Sequence, residues 1–89
     1  MTQVAFSSSF RRAFRKRIEG NKLLEEKFWQ RVEIFIKNPH DARLRTHKLS
    51  GELRGLWSFT IEYDVRVVFS FLPGERAMFE DIGSHDEVY

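Results

Sequence analysis

The sequence predicts a single domain of the α+β class, with the element order β-α-α-β-β-β. Two apolar stripes of helical spacing in the first half and three alternating stretches in the second half support this prediction. Apolar residues recur every three or four positions in a helix, whereas they alternate every two in a strand with one buried face. At 89 residues, 42% hydrophobic and 15% aromatic, the chain can bury one core. We therefore expect one domain over residues 1–89, with a helical hairpin packed on a mainly antiparallel sheet.

The first half contains one strand candidate and two helix candidates. Residues 3–6 are the strand candidate, and the three serines that follow can cap a helix N-terminus. The apolar stripe of the first helix has four-residue spacing and consists of Phe6, Phe10, Phe14 and Ile18. A second helix is predicted over residues 22–37, because Pro39 lacks an amide hydrogen and disfavours helix before it. Trp29 lies off the stripe of this helix and is expected to be partly exposed, and residues 40–46 are predicted as a loop.

The second half centres on a β-hairpin followed by one more strand. In the first strand three large apolar residues, Trp57, Phe59 and Ile61, alternate with polar ones. After a turn at Tyr63 and Asp64, a return strand carries valines and phenylalanines on one face and Arg66 on the other. Pro73 and Gly74 indicate the next turn, and the last strand is predicted over residues 77–82, with Ala77, Phe79 and Asp81 on one face and a short tail after it.

The position of Arg66 needs an explanation, because a charge in the middle of a strand is costly unless it is paired or faces water. Two explanations remain open from the sequence. The guanidinium could pair with Glu62 or Glu80 across the sheet. Alternatively, its planar fork could bind a phosphate.

The charge is unevenly distributed although its net value is only +2. Residues 1–54 contain 13 Lys and Arg against 6 Asp and Glu, and residues 55–89 contain 2 against 7. A basic half can bind a polyanion or an acidic protein segment, but two solvated helices would have the same composition. The chain has no cysteine, which excludes disulfides and zinc thiolates and fits a cytoplasmic location. No apolar run approaches the ~20 residues of a membrane span, and no signal peptide is recognisable, so no membrane partner is expected.

Four ionisable residues are candidates for chemistry: His47, Asp64, Arg66 and His85. An antiparallel meander can bring such positions to one end of a sheet. The set suits cleavage of RNA by its own 2′-hydroxyl, which needs a base, an acid and a cation near the phosphate. Histidine can act as acid or base because its ordinary pKa is about 6.5. No metal or other cofactor is called for, and no histidines have the spacing of a zinc site. Each residue also has an ordinary structural explanation, such as a turn aspartate or a surface histidine.

The segment from His47 to Tyr89 resembles toxins of the RelE superfamily, found in bacterial type II toxin–antitoxin operons, and is most similar to the YafQ branch. The matching features are His47-x-Leu49-x-Gly51, Gly55, the strand from Trp57 to Ile61, Asp64-x-Arg66-Val67-Val68-Phe69 and the closing Gly83-Ser84-His85 with a terminal aromatic residue. They cover about half of the chain. The resemblance implies the small RelE-like α+β fold and cleavage of mRNA, commonly at the ribosomal A site near 16S rRNA. It also implies a cognate antitoxin as partner.

The resemblance also implies a role for each candidate residue. His47 matches a catalytic histidine of YafQ-like members, and Asp64 matches a catalytic aspartate. Arg66 matches the arginine that acts at the phosphate, His85 the histidine expected to be the general acid, and Tyr89 a terminal aromatic that supports the substrate. The general base is His47 as first choice and Asp64 as second. The residues expected to bind substrate are Arg43, Arg45, Lys48, Arg54, Thr60 and Tyr89.

This sequence departs from the family pattern at two positions. A second histidine of YafQ-like proteins corresponds to Thr60, and a neighbouring tryptophan corresponds to Val65. The chain also lacks the lysine-rich site of RelE itself. Two other functions are therefore kept as alternatives: a ParE-like inhibitor of DNA gyrase on the same fold, and a binding module without catalysis. The cognate antitoxin is expected to cover Arg66 and His85 with an acidic or amphipathic segment.

Overall fold

The computed structural model describes residues 1–89 and contains five strands and three α-helices. In chain order these are β1 (Gln3–Phe6), α1 (Ser8–Arg17), α2 (Lys22–Lys37), β2 (His47–Lys48), β3 (Trp57–Glu62), β4 (Val65–Leu72), β5 (Arg76–Gly83) and α3 (His85–Val88). Two short 3-10 helices lie at Ala42–Leu44 and Gly51–Leu53. No helix combines the length and the apolar character that a membrane span requires.

The five strands form one mixed sheet in the order β1-β5-β4-β3-β2. Strand β1 runs parallel to β5, and the other neighbouring strands are antiparallel. The long hairpin of β3 and β4 and the last strand therefore form the middle of the sheet. The predicted α+β class and the predicted hairpin are both confirmed.

The core lies between the helices and one face of the sheet. Phe35 of α2 is fully buried, and its ring centroid lies 4.9 Å from that of Phe59, 4.9 Å from that of Phe69 and 5.3 Å from that of Phe79. On α1, Phe10 packs 5.6 Å from Phe79. Aromatic rings at these separations bury a large apolar area and add favourable edge contacts. Phe10 and Ile18 of the first predicted stripe are buried in this core, whereas Phe6 and Phe14 are half-buried and pack against it.

The helix ends follow the local signals in the sequence. The Ser7 hydroxyl accepts a hydrogen bond from the Phe10 amide at 3.0 Å, and Asn21 caps α2 through the Leu24 amide at 3.2 Å. Such caps satisfy amide groups that have no partner within the helix. The predicted range of α2, residues 22–37, is confirmed. Trp29 is 50% exposed, as its position off the stripe predicts.

The structure corrects three sequence-based predictions. Residues 40–46, predicted as a loop, include a 3-10 turn, and the edge strand β2 follows them. The tail after β5 contains the helix α3. In β5 the alternation breaks at Glu80, because Val68 pairs with Asp81 while Phe69 pairs with Phe79. This bulge turns Ile82 into the core and Asp81 away from it, so the predicted face shared by Phe79 and Asp81 is wrong.

We predict that Phe35→Ala lowers the free energy of unfolding by about 3–5 kcal/mol, because the cavity would lie among three other buried rings. Phe71, which is 37% exposed, provides the matched control, and Phe71→Ala should cost only about 1 kcal/mol. Urea unfolding followed by tryptophan fluorescence measures both. Equal losses for the two variants would contradict the placement of the core.

Candidate active site

An open cleft of about 700 Å³ lies at the end of the sheet where β3 turns into β4. Four residues predicted from the sequence line it, namely Thr60, Asp64, Arg66 and His85. The predicted Arg43 and Arg45 line it too, as do Lys27 and Arg31 of α2. Glu62 contributes the second carboxylate. The cleft therefore contains an acid–base set and an excess of positive charge.

The strand register explains why these residues meet. Arg66 on β4 is paired with Thr60 on β3 and with Gly83 on β5. Paired residues in antiparallel strands project to the same face, so Thr60 and Arg66 share the face opposite the aromatic core. His85 follows Gly83 by two residues and begins α3. Side chains far apart in sequence thus converge at one end of the central strands.

The Arg66 guanidinium has no carboxylate partner. No ion pair joins it to Glu62 or Glu80, so the first of the two explanations left open by the sequence does not hold. Its Nε atom is buried without a hydrogen-bond partner, and its Cζ lies 5.5 Å from the centre of the Tyr89 ring. A cation over an aromatic face gains some stabilisation, but it leaves the N–H groups free. Arg66 is therefore a half-buried cation with donors available to an anion.

His85 is held at the cleft by the short helix α3. Ser84 and Glu87 form a reciprocal capping box at its start. The His85 ring centroid lies 4.7 Å from that of Tyr89, and its Nδ1 lies 3.4 Å from Asp86 Oδ1. Since a carboxylate only accepts, Nδ1 is the donor in this contact. That leaves Nε2 without a partner, as a group that can release a proton when the ring is charged.

His47 lies outside the cleft. It is exposed on the edge strand β2, where it pairs with Ser58. This pairing places His47 on the same face of the sheet as Arg66, and the spacing between strands separates the two Cα atoms by roughly 12 Å. Its Nδ1 lies 3.0 Å from the Arg45 carbonyl oxygen. A carbonyl only accepts, so the neutral ring carries its proton on Nδ1 and presents Nε2 as a base.

Two further predicted substrate-binding residues also lie apart from the cleft. Lys48 points to the opposite face, where its Nζ lies 5.5 Å from the centre of the Trp57 ring. Arg54 is exposed at the end of the second 3-10 helix and does not line the cleft. The structure therefore places Arg43 and Arg45 in the cleft with Asp64, Arg66 and His85 but separates Lys48 and Arg54 from it.

The basic residues that line the cleft differ in whether a carboxylate pairs with them. Arg43 forms a bidentate pair with Asp41, at 3.0 Å and 2.9 Å, and the side-chain hydrogen bonds from Arg43 lower the pKa of Asp41 to about 2. Arg45 has a left-handed backbone, with φ of 53°, and no ion pair. Lys27 and Arg31 also form no ion pair, although Arg31 Nη1 donates to the Arg43 carbonyl oxygen at 3.4 Å. Neither residue was predicted from the sequence, although residues four apart on a helix share one face.

A second hollow, of about 290 Å³, lies between α1 and α2. Its lining is mostly aromatic, with Phe6, Phe14, Phe28 and Trp29, and its one carboxylate is Glu19. It contains no histidine and therefore lacks the acid–base pair of the cleft. Elsewhere, no three His, Asp or Glu side chains lie close enough together to hold a metal ion.

No protein-family model and no curated protein sequence matches this chain. Several solved structures do. Escherichia coli YafQ is 19% identical, with 100% of this chain and 99% of YafQ covered and a TM-score of 0.75. The YoeB/ParE toxin from Agrobacterium tumefaciens is 18% identical, with coverage of 94% and 99% and a TM-score of 0.77. YoeB in the YoeB–YefM complex from Staphylococcus aureus is 17% identical, with coverage of 96% and 98% and a TM-score of 0.75. The chain therefore has the RelE/ParE toxin fold, as its resemblance predicted.

We predict that Glu87 stabilises the fold in a pH-dependent way. The backbone N–H of Ser84 donates to Glu87 Oε1 at 2.7 Å and is the main cause that holds the pKa of this carboxyl below its ordinary 4.5. A carboxylate with a lowered folded-state pKa stabilises the fold above its ordinary pKa, and this contribution is lost as the pH falls through the folded-state value. Glu87→Gln should therefore be less stable than wild type near pH 7 and equal to it in strong acid. Urea unfolding of both proteins at the two pH values tests this, and a pH-independent difference would contradict it.

Proposed function

We propose that this chain is the toxin of a type II toxin–antitoxin pair and that it cleaves mRNA in the cleft beside Arg66. The observation that carries the proposal is the half-buried guanidinium without a carboxylate partner, in a cleft that also contains Asp64 and His85. An unpaired buried cation is costly and needs an anion to compensate it. A phosphate group between an acid and a base would supply that charge. The shared fold with YafQ and YoeB supports the same assignment.

The proposed reaction is a transfer of the phosphate within the RNA. The base removes the proton of a 2′-hydroxyl, and the 2′-oxygen attacks the adjacent phosphorus. The bond from phosphorus to the 5′-oxygen breaks as His85 donates a proton from Nε2 to that oxygen. The products are a 2′,3′-cyclic phosphate and a 5′-hydroxyl. Arg66 would stabilise the charge that accumulates on the phosphate oxygens, and Thr60 lies beside it as a further hydroxyl donor.

Asp64 and His47 remain the two candidates for the base. Asp64 lines the cleft together with Arg66 and His85, which favours it. His47 has the right tautomer but would need a substrate that reaches toward β2 or a movement of that edge strand. Catalytic contacts often tighten only when substrate binds, so its distance does not remove it from consideration.

The cations along the cleft would hold the RNA backbone. Lys27, Arg31 and Arg45 line the cleft and have no carboxylate partner. Lys48 and Arg54 lie farther away and would contact a longer substrate, such as mRNA held on the ribosome. Tyr89 lies beneath Arg66 and next to His85, so it would support both groups from below.

The proposed partner that restrains the toxin is a cognate antitoxin with an acidic or amphipathic segment over Arg66 and His85. One structure that shares this fold is of a YoeB–YefM complex. An acidic segment would satisfy the same unpaired donors as the phosphate. Such a pair would act in the cytoplasm, where mRNA and ribosomes are present.

We predict that His85→Ala lowers the rate of mRNA cleavage by about 10²- to 10⁴-fold, because it removes the proton donor for the leaving oxygen. His40→Ala is the matched control, since His40 packs on Trp57 and Phe71 outside the cleft. Both variants and wild type are compared on a defined mRNA with programmed ribosomes, and 5′-end mapping identifies the cuts.

Three outcomes would contradict this proposal. Cleavage that persists in His85→Ala would remove His85 from the reaction. Growth arrest without RNA cleavage would favour the ParE-like alternative, and a gyrase supercoiling assay would then detect the target. Absence of both effects in wild type would leave a binding module.

We predict that one of two conservative variants, Asp64→Asn or His47→Gln, abolishes the chemical step while the other changes it little. Placement in the cleft makes Asp64→Asn the variant expected to lose about 10²-fold or more in single-turnover rate. Each substitution preserves the approximate size of the side chain, so folding is little affected. A loss with His47→Gln alone would show that the base comes from β2.

A further inference from the structure

Arg17, near the end of α1, connects three parts of the structure close to the cleft. Its Nη1 lies 3.2 Å from Asp81 Oδ1 and 3.0 Å from the Ile82 carbonyl oxygen, both on β5. Its Nε lies 3.6 Å from Glu87 Oε2 on α3. The Arg17 side chain is only 23% exposed, and it does not line the cleft. It therefore joins α1, β5 and α3 without being in a position to touch a substrate there.

The helix α3 needs such support because it is very short. It has four residues, far fewer than the ~12–15 that a helix needs to be marginally stable alone. Its capping box uses one oxygen of Glu87, which accepts the Ser84 amide at 2.7 Å. The other oxygen of the same carboxylate faces Arg17. One side chain thus links the start of α3 to the helix α1 across the end of β5.

The side chains of Arg17 and Glu87 pack closely against the backbone at Gly83. A Cβ atom at this position would lie 2.7 Å from Glu87 Oε1 and 3.0 Å from Arg17 Nη1. Both atoms belong to flexible side chains, but the φ of Gly83 is 159°, so an alanine here would strain the backbone as well as displace them. Gly83 is also the residue that pairs with Arg66 on β4. The contact between Arg17 and Glu87 therefore lies one strand away from the proposed phosphate site.

We propose that Arg17 is a positioning residue for the cleft, which fixes α3 so that His85 and Tyr89 stay beside Arg66. The kinetic part of this inference rests on the proposed ribonuclease function, and the structural part does not. Arg17 acts through Glu87 and the end of β5, and α3 then places the imidazole and the phenol ring. Loss of Arg17 loosens α3 and misplaces the proton donor, although every group that would contact RNA is still present.

The first test measures the geometry directly by NMR of the free protein. The Arg66 Nε–H signal reports the Tyr89 ring beneath it through the ring current, and the His85 ring signals report the same aromatic contact. In Arg17→Gln both sets of signals should move toward the values of the Tyr89→Ala variant. In Arg76→Gln, which removes the same charge at the opposite end of β5, they should stay in place.

The second test measures single-turnover cleavage of mRNA on programmed ribosomes. Arg17→Gln should lower the rate at saturating substrate by roughly 10- to 100-fold, the effect of misplacing a reacting group by about 1 Å. Its substrate affinity should change no more than that of Arg76→Gln. Arg17→Lys retains the charge but lacks the planar fork for three acceptors, so it should recover only part of the rate.

The outcomes separate the two proposals. If Arg17→Gln is folded and neither its NMR signals nor its rate differs from those of Arg76→Gln, the positioning role is overturned. If Arg17→Gln does not fold, Arg17→Lys decides in the same way. If wild type cleaves no RNA, the proposed function fails, and the NMR comparison alone decides whether Arg17 places α3.

Discussion

The burial of alternate residues on β4 determines the register of this strand and the face of the sheet on which Arg66 lies. Val67 and Phe69 are fully buried against the helices, and β4 has a neighbour on each side. A shift of one residue would turn both out of the core and bring Arg66 into it. The aromatic core around Phe35 therefore fixes the register of the strand. It also fixes the face from which the guanidinium emerges, although none of its residues touches the cleft.

The opposite face of the sheet has much less apolar material to cover it. Val68 and Val88 are buried there outside the main core, and the four-residue helix α3 supplies the cover. Because α3 is so short, it leaves space for a cleft on this face. Its few apolar contacts, however, give little packing energy to hold α3 itself in place. Polar contacts must then contribute more to holding α3 in place, which accounts for the capping box at Ser84 and the ion pair between Arg17 and Glu87. His85, the proposed proton donor, therefore lies on the helix that these polar contacts hold in place.

The sequence predicts those elements whose signals are local. The range of α2 follows from a capping asparagine and a proline, and the hairpin follows from the alternation of large apolar residues. The bulge at Glu80 could not be predicted, because it depends on how β5 pairs with β4. The helix α3 was missed although Ser84 and Glu87 have the spacing of a capping box, since four residues give no periodicity to detect.

Within the candidate site, residues on adjacent central strands were easier to predict together than residues on the edge. Arg66 and His85 meet because β4 and β5 are neighbours, whereas His47 lies on a strand beyond β3 and remains outside the cleft. The wall formed by Lys27 and Arg31 depends on the packing of α2 beside the hairpin end. The residue pattern in the second half of the chain does not show where α2 packs.

The charge distribution has a consequence for how the proposed toxin would be controlled. The residues proposed for chemistry, Asp64, Arg66 and His85, come from the acidic second half, whereas Lys27 and Arg31, which form no ion pair, come from the basic first half. These cations attract any polyanion, so an RNA backbone and an acidic protein segment would compete for the same wall. The Arg66 N–H groups can likewise donate hydrogen bonds to a phosphate or to a carboxylate. An inhibitor of this kind needs no separate allosteric site, because the charge that binds the substrate also binds the protein that excludes it.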